Sequence, residues 1–144
     1  MIRESSVQEI RERGAALIAA AAEDTGSDGD VQWYALEHLA NAGLLVVLVI
    51  EVDGELVGHC ACAFGPDFWS SSPSLTTVSI FVQPEHRPAW GMQLLRRLVQ
   101  EARERGAVAR VQVNPDTQAH RLVSALSGRP GFKARAVAMT YELG

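Results

Sequence analysis

The sequence predicts an α/β (α+β) fold: a mixed, mostly antiparallel twisted sheet with a central parallel strand pair and helices on both faces. Three observations carry this. Asp53-Gly54 stands between two apolar runs, Leu45–Val52 and Glu55–Phe64, and Asp-Gly in that setting signals a type I′ hairpin. A strand, a helix and a second strand follow over Leu75–Val113, and such a crossover joins parallel strands. Apolar stripes at helical spacing lie before the hairpin and after the crossover, which supplies helices for two faces.

The first helix is expected from Ser6 to Ala22. Ser6-Val7-Gln8-Glu9 reads as a capping box with Glu9 reaching back, and Val7, Ile10, Leu17, Ile18 and Ala21 make the apolar stripe. Glu23–Asp30 is an acidic loop, read either as a solvated linker or as the rim of a pocket. A second helix is placed at Val31–Asn41, with Gly43 as its stop signal. After the hairpin, Gly65–Pro73 carries turn residues with Phe68 and Trp69 and is expected to be mobile or lid-like. Leu75–Val82 is a strand rich in Thr, Val, Ile and Phe. The next helix is placed at Trp90–Arg105, where Arg97/Glu101 and Glu101/Arg105 at i,i+4 suggest a solvated outer face. Val108–Val113 is a short strand, Asp116–Ser127 a helix, and Phe132–Leu143 one or two final strands.

With 144 residues, one domain over 1–144 is expected. The chain is 47% hydrophobic, enough to fill a core. Its net charge of −4 and pI near 5.5 argue against a nucleic-acid partner. The apolar run Leu44–Ile50 is far too short to span a membrane. Met1–Ile10 is charged and lacks the apolar stretch of a secretory signal, so a cytoplasmic location is expected. Cys60 and Cys62 stand two apart on a strand and read as small buried hydrophobes; no metal site is expected from them.

The stretch FVQPEHRPAWGMQLLRR, Phe81 to Arg97, runs from strand through a basic turn into a helix. That arrangement offers backbone N–H groups to an anion. No G-x-G-x-x-G follows a strand, which argues against a dinucleotide site.

The whole order resembles the GNAT family of N-acetyltransferases, and GNAT-like proteins of phages and prophages in particular. E-x-D-G-E-L-V-G-H, Glu51 to His59, is similar to the family's second and third strands. F-V-Q-P-E-H-R, Phe81 to Arg87, resembles its V-x-P-x-x-R signature, and Leu94 to Ala107 its long central helix. Gly131-Phe132 stands where the family has a terminal G-F or G-Y pair. The resemblance implies acetyl-CoA as cosubstrate and an amine-bearing small molecule or protein amino group as acceptor; a homodimer is compatible with it. It implies a pantetheine arm along the backbone of Ile80, Phe81 and Val82, and a pyrophosphate at Arg87, Ala89, Trp90, Gly91 and Met92.

The loop departs from the family's R/Q-x-x-G-x-G/A. Pro88 has no N–H to offer, and Trp90 puts a bulky side chain where backbone should approach the ligand closely. The central strand carries Thr76, Thr77 and Ser79 in place of the family's carboxylate, and Ser127 stands where its tyrosine would be. The candidate catalytic residues are therefore His59, Asn114 and His120, each with a plain structural alternative. Trp33, Tyr34, Phe68 and Trp69 are candidates for an acceptor pocket or for packing. Two functions stand: direct acetyl transfer in a ternary complex, or a CoA-binding or structural module that has lost turnover.

Overall fold

A computed structural model describes residues 1–67, 69–112, 118–127, 129–137 and 140–144. The elements run β1 (Ile2–Ser5), α1 (Val7–Arg13), α2 (Ala15–Thr25), α3 (Trp33–Asn41), β2 (Leu45–Val52), β3 (Glu55–Gly65) and β4 (Ser74–Val82). A 3-10 turn over Pro84–His86 leads into α4 (Arg87–Glu104), then β5 (Val108–Gln112), α5 (Gln118–Leu126), β6 (Ala134–Val137) and β7 (Thr140–Leu143). The strands form one sheet in the order β1-β2-β3-β4-β5-β7-β6. Among the described residues only β4 and β5 pair in parallel; every other neighbouring pair is antiparallel.

Helices cover both faces. Val46, Leu48 and Ile50 of β2 point into a core shared with Leu94, Leu95, Leu98 and Ala102 of α4 and Val123 and Leu126 of α5. The alternate residues Leu45, Val47 and Val49 meet Val7, Ile10, Leu17 and Ala21 of α1 and α2, with Trp33 of α3 beside them. A strand buried on both faces needs an unbroken apolar run, and Leu45–Ile50 is one. Asp53 and Gly54 have φ of 52° and 81°, the left-handed pair that a type I′ turn demands.

Several expectations are corrected. Ile2–Ser5 is an edge strand, paired through Ile2↔Ile50 to Ser5↔Val47, although its sequence has no apolar alternation. Charges hold it instead: Arg3 bonds Glu9 at 2.7 Å and reaches Glu51 at 3.4 Å. The first helix is broken at Gly14, whose N–H closes α1 on the Ile10 carbonyl at 2.8 Å. Ser6 does cap it, accepting the Glu9 N–H at 3.1 Å. The Glu9 carboxylate turns instead to Arg3, Arg13 and the Ser5 hydroxyl, because charged donors bind it more strongly than an uncharged backbone N–H. The central helix starts at Arg87 rather than Trp90, as Pro88 suits a first turn. Its i,i+4 ion pairs form, at 2.8 Å and 2.6 Å, but Glu101 between them is buried rather than solvated.

Candidate active site

The parallel pair is short. β4 and β5 are in register only at Ser74↔Val108, Leu75↔Ala109 and Thr76↔Arg110, while β4 continues to Val82. Beyond Thr76 the strands part, and among the described residues no strand takes up that side of β4. A bulge helps to part them. β3 pairs Cys62 with Thr77 and then Ala61 with Ser79, which leaves Val78 as an extra residue on β4. A bulge of this kind bends the strand and re-aims the side chains after it.

Arg110 and Asp67 lock the closed end. Arg110 Nε and Nη2 donate to Asp67 Oδ2 at 3.0 and 2.6 Å, and the two side chains are only 2% and 5% exposed. The loop before β4, expected to be mobile or lid-like, is thus pinned at Asp67. At the parting itself, the Gln112 N–H donates to Thr77 Oγ1 at 3.2 Å. At the open end, Arg121 of α5 pairs with Asp24 of α2 at 2.9 Å. These helices pack on opposite faces of the sheet, and their ion pair links the two faces.

On the α2 side, the parting opens into a cleft of about 370 Å³. Ile18, Ala21 and Thr25 line one wall, Thr77, Ser79 and Ile80 the other. His59 of β3 lies directly behind that wall. It pairs with Phe81, and the strand pleat puts Ser79 diagonally across from it on the same face. His59 Nε2 is 2.7 Å from Ser79 Oγ. The imidazole is 3% exposed, and its Nδ1 has no hydrogen-bond partner among the described residues. Burial disfavours the imidazolium and pulls its pKa down to about 4. His59 is therefore neutral near pH 7, and it reaches the cleft through Ser79.

The other predicted residues divide. Ile80 lines the cleft, but the Phe81 and Val82 side chains are buried in the cores on opposite faces. Arg87 Nε donates to the Val82 carbonyl at 2.8 Å, and the guanidinium lies 5.5 Å from the Phe81 ring centroid. It therefore fastens the end of β4 to the start of α4. Its terminal nitrogens are unbonded among the described residues. At the helix start the Arg87 N–H bonds Pro84 and Pro88 has none, so backbone donors begin at Ala89. Trp90 and Met92 turn their side chains onto the main core. A Cβ on Gly91 would lie 2.9 Å from Leu122 Cδ1, so this glycine makes room for α5.

Asn114 lies outside the described residues. His120 falls on α5, but its side chain lies outside the described part of the structure. Phe68 is also outside them; Tyr34 and Trp69 are 87% and 66% exposed, Trp33 packs on the α1–α2 core, and none of these three lines the cleft. Sequence reading passed over Ser79 as a catalytic group, because its place diagonal to His59 follows from the β3–β4 register, Ala61↔Ser79 and His59↔Phe81. It also passed over Arg110, although a lone arginine inside the apolar strand V-A-R-V-Q was a signal that it must find a buried partner. No group of metal-ligating side chains, and no helix long and apolar enough to cross a membrane, occurs among the described residues.

A central parallel strand pair that parts near a bulge leaves a cleft on the open edge of β4. Residues 10–127 match the model of the acetyltransferase (GNAT) family, and the chain belongs to that family. It is thereby an acetyltransferase by descent, of a family whose acyl donor is acetyl-CoA. Solved structures agree on the fold. A predicted acetyltransferase from Clostridium acetobutylicum, crystallised with acetyl-CoA, is 16% identical with a TM-score of 0.67, over 90% of this chain and 89% of that one. A ribosomal-protein-alanine N-acetyltransferase from Brucella melitensis biovar Abortus is 20% identical with a TM-score of 0.65, over 95% and 98%. An aminoglycoside acetyltransferase from an uncultured soil metagenomic sample is 20% identical with a TM-score of 0.69, over 95% and 96%. No curated protein matches the chain.

Proposed function

We propose that residues 1–144 form one acyltransferase unit that moves an acetyl group from acetyl-CoA to a primary amine, by direct transfer in a ternary complex. The observation that carries this reading is the open edge of β4, with a cleft of about 370 Å³ reaching it from the α2 side. Two reactants brought to one strand edge need little further chemistry, since orientation alone lowers the barrier substantially. Acetyl-CoA supplies the activated acyl group. The backbone of Ile80, Phe81 and Val82 would hold its extended arm, and the Arg87 terminal nitrogens with the Ala89 and Trp90 N–H groups would face its phosphates. The amine would enter over Ile18, Ala21 and Thr25. An acceptor bearing several amines fits the acidic Glu23–Asp30 segment that follows the cleft wall.

Thermal unfolding with CoA and with acetyl-CoA tests the cofactor. Saturation at 100 times Kd stabilises by about 2.7 kcal/mol. That is roughly 5–10 °C in Tm for a chain of this size. No shift at millimolar ligand would sink the reading. A thiol-release assay over small amines, aminoglycosides and N-terminal peptides then measures transfer.

A second reading, a CoA-binding module without turnover, draws on the thin donor set at the start of α4, where Arg87 and Pro88 offer no free N–H. A ligand shift with no thiol release from any amine would favour it.

A further inference from the structure

We propose that the Ser79 hydroxyl is the hydrogen-bond donor that the cleft presents to the thioester, with its direction set by His59 behind it. The inference rests on the acetyltransferase reading above.

A neutral imidazole carries one hydrogen, on either Nδ1 or Nε2. His59 Nδ1 is buried and unpartnered among the described residues. A hydrogen placed there would be an orphaned buried donor, which folded proteins avoid more strictly than an unsatisfied acceptor. The hydrogen therefore belongs on Nε2, and Nε2 donates to Ser79 Oγ across 2.7 Å. That bond occupies an acceptor site on Oγ and leaves the hydroxyl hydrogen free to turn away from His59. Ser79 is exposed and lines the cleft, so its hydrogen turns into the cleft. Successive donors polarise one another, and Ser79 becomes a better donor than an isolated serine.

This excludes the opposite arrangement, in which Ser79 would give its proton to His59 and attack as a nucleophile. During transfer the amine lone pair forms the N–C bond, and the carbonyl π electrons move onto oxygen. When the C=O bond re-forms, the C–S bond breaks and its electrons leave on sulfur. The amine proton passes to solvent or to the departing sulfur. Negative charge thus develops only on the carbonyl oxygen and on sulfur, both of which need a donor. Ser79 keeps its proton throughout and stabilises that charge, while His59 is a positioning residue. The role fits a β4 that carries no carboxylate.

Nitrogen-15 correlation spectra of the imidazoles in the ligand-free protein at neutral pH test the direction of the bond. A neutral His59 protonated on Nε2 is expected; protonation on Nδ1, or a charged ring, would overturn the proposal. Ser79→Ala should lower kcat by about 10²-fold, the effect of losing one such donor, with the CoA-induced rise in Tm retained. Ser79→Thr should recover most of the rate, and His59→Gln, which keeps an N–H, should exceed His59→Leu. An unchanged kcat in Ser79→Ala overturns the role in catalysis even if the tautomer is as expected. Absence of transfer by the wild type would defeat the acetyltransferase reading and the role of Ser79 with it. The spectra, which need no turnover, would still decide which way the hydrogen bond runs.

Discussion

Asp67→Ala should destabilise the protein more than any surface substitution. The Arg110 guanidinium is 2% exposed and bonded through Nε and Nη2 to a carboxylate that is 5% exposed. Breaking a buried pair by deleting one partner costs about 3–5 kcal/mol, because the other charge stays buried. Glu142 lies 3.7 Å from Arg110 Nη1 and retains part of the compensation, so the low end applies, about 3 kcal/mol. At roughly 2–4 °C per kcal/mol, Tm should fall by about 6–12 °C. The double variant Asp67→Ala/Arg110→Met removes both charges and should regain much of that loss, since apolar replacement of a buried pair is often neutral. Urea denaturation at pH 7.5 with a constant slope would measure both. A single variant within about 1 kcal/mol of wild type, or a double variant weaker than the single one, would refute the account of this pair as the lock of the β4–β5 junction.

Arg87→Ala should both weaken CoA binding, read by titration calorimetry, and cost about 1–2 kcal/mol of stability, because Nε bonds the Val82 carbonyl. Gly91→Ala should be nearly neutral in thermal melts: the gain in helix propensity of about 1 kcal/mol offsets a forced turn of Leu122, whereas Gly91→Val should cost about 1–3 kcal/mol. Acid lability should come in two windows of a pH–stability profile. His59, held neutral by burial with its pKa lowered to about 4, makes the unfolded state the better proton binder, so stability falls as pH drops from about 6.5 to 4; His59→Gln should lack this slope. Glu9, lowered to about 2 first by Arg3 and then by Ser5, contributes stability that is complete above about pH 4.5 and lost as pH falls towards 2; Glu9→Gln should flatten that limb.

Much of the fold was legible because it is written locally. The Asp53-Gly54 turn, the double-faced run Leu45–Ile50 and the periodicity of Leu94, Leu95, Leu98 and Ala102 each depend on neighbours a few residues away. Edges and breaks were harder. Ile2–Ser5 becomes a strand because β2 offers it an edge and Glu51 a charge, neither of which its own residues reveal. The helix start was placed late because Trp90 opens the apolar stripe, whereas Arg87 and Pro88 open the hydrogen-bonded turn.

Of the candidate site, His59 and the β4 stretch Ile80–Val82 could be named from the residues, through the family order that they follow. Their working surroundings could not. Ser79 stands diagonal to His59 through the register Ala61↔Ser79 and His59↔Phe81, and the extra residue Val78 separates that register from the one at Thr77. That His59 is buried and thereby held neutral is a fact of packing rather than of sequence. By itself the sequence determined the hairpin, the crossover, the two apolar faces and the family, since all of these follow from local pattern. The tertiary structure alone decided where β4 and β5 part, which charge locks them, and which hydroxyl faces the cleft. Those depend on strand register and on burial, and both arise only when segments distant in the chain meet.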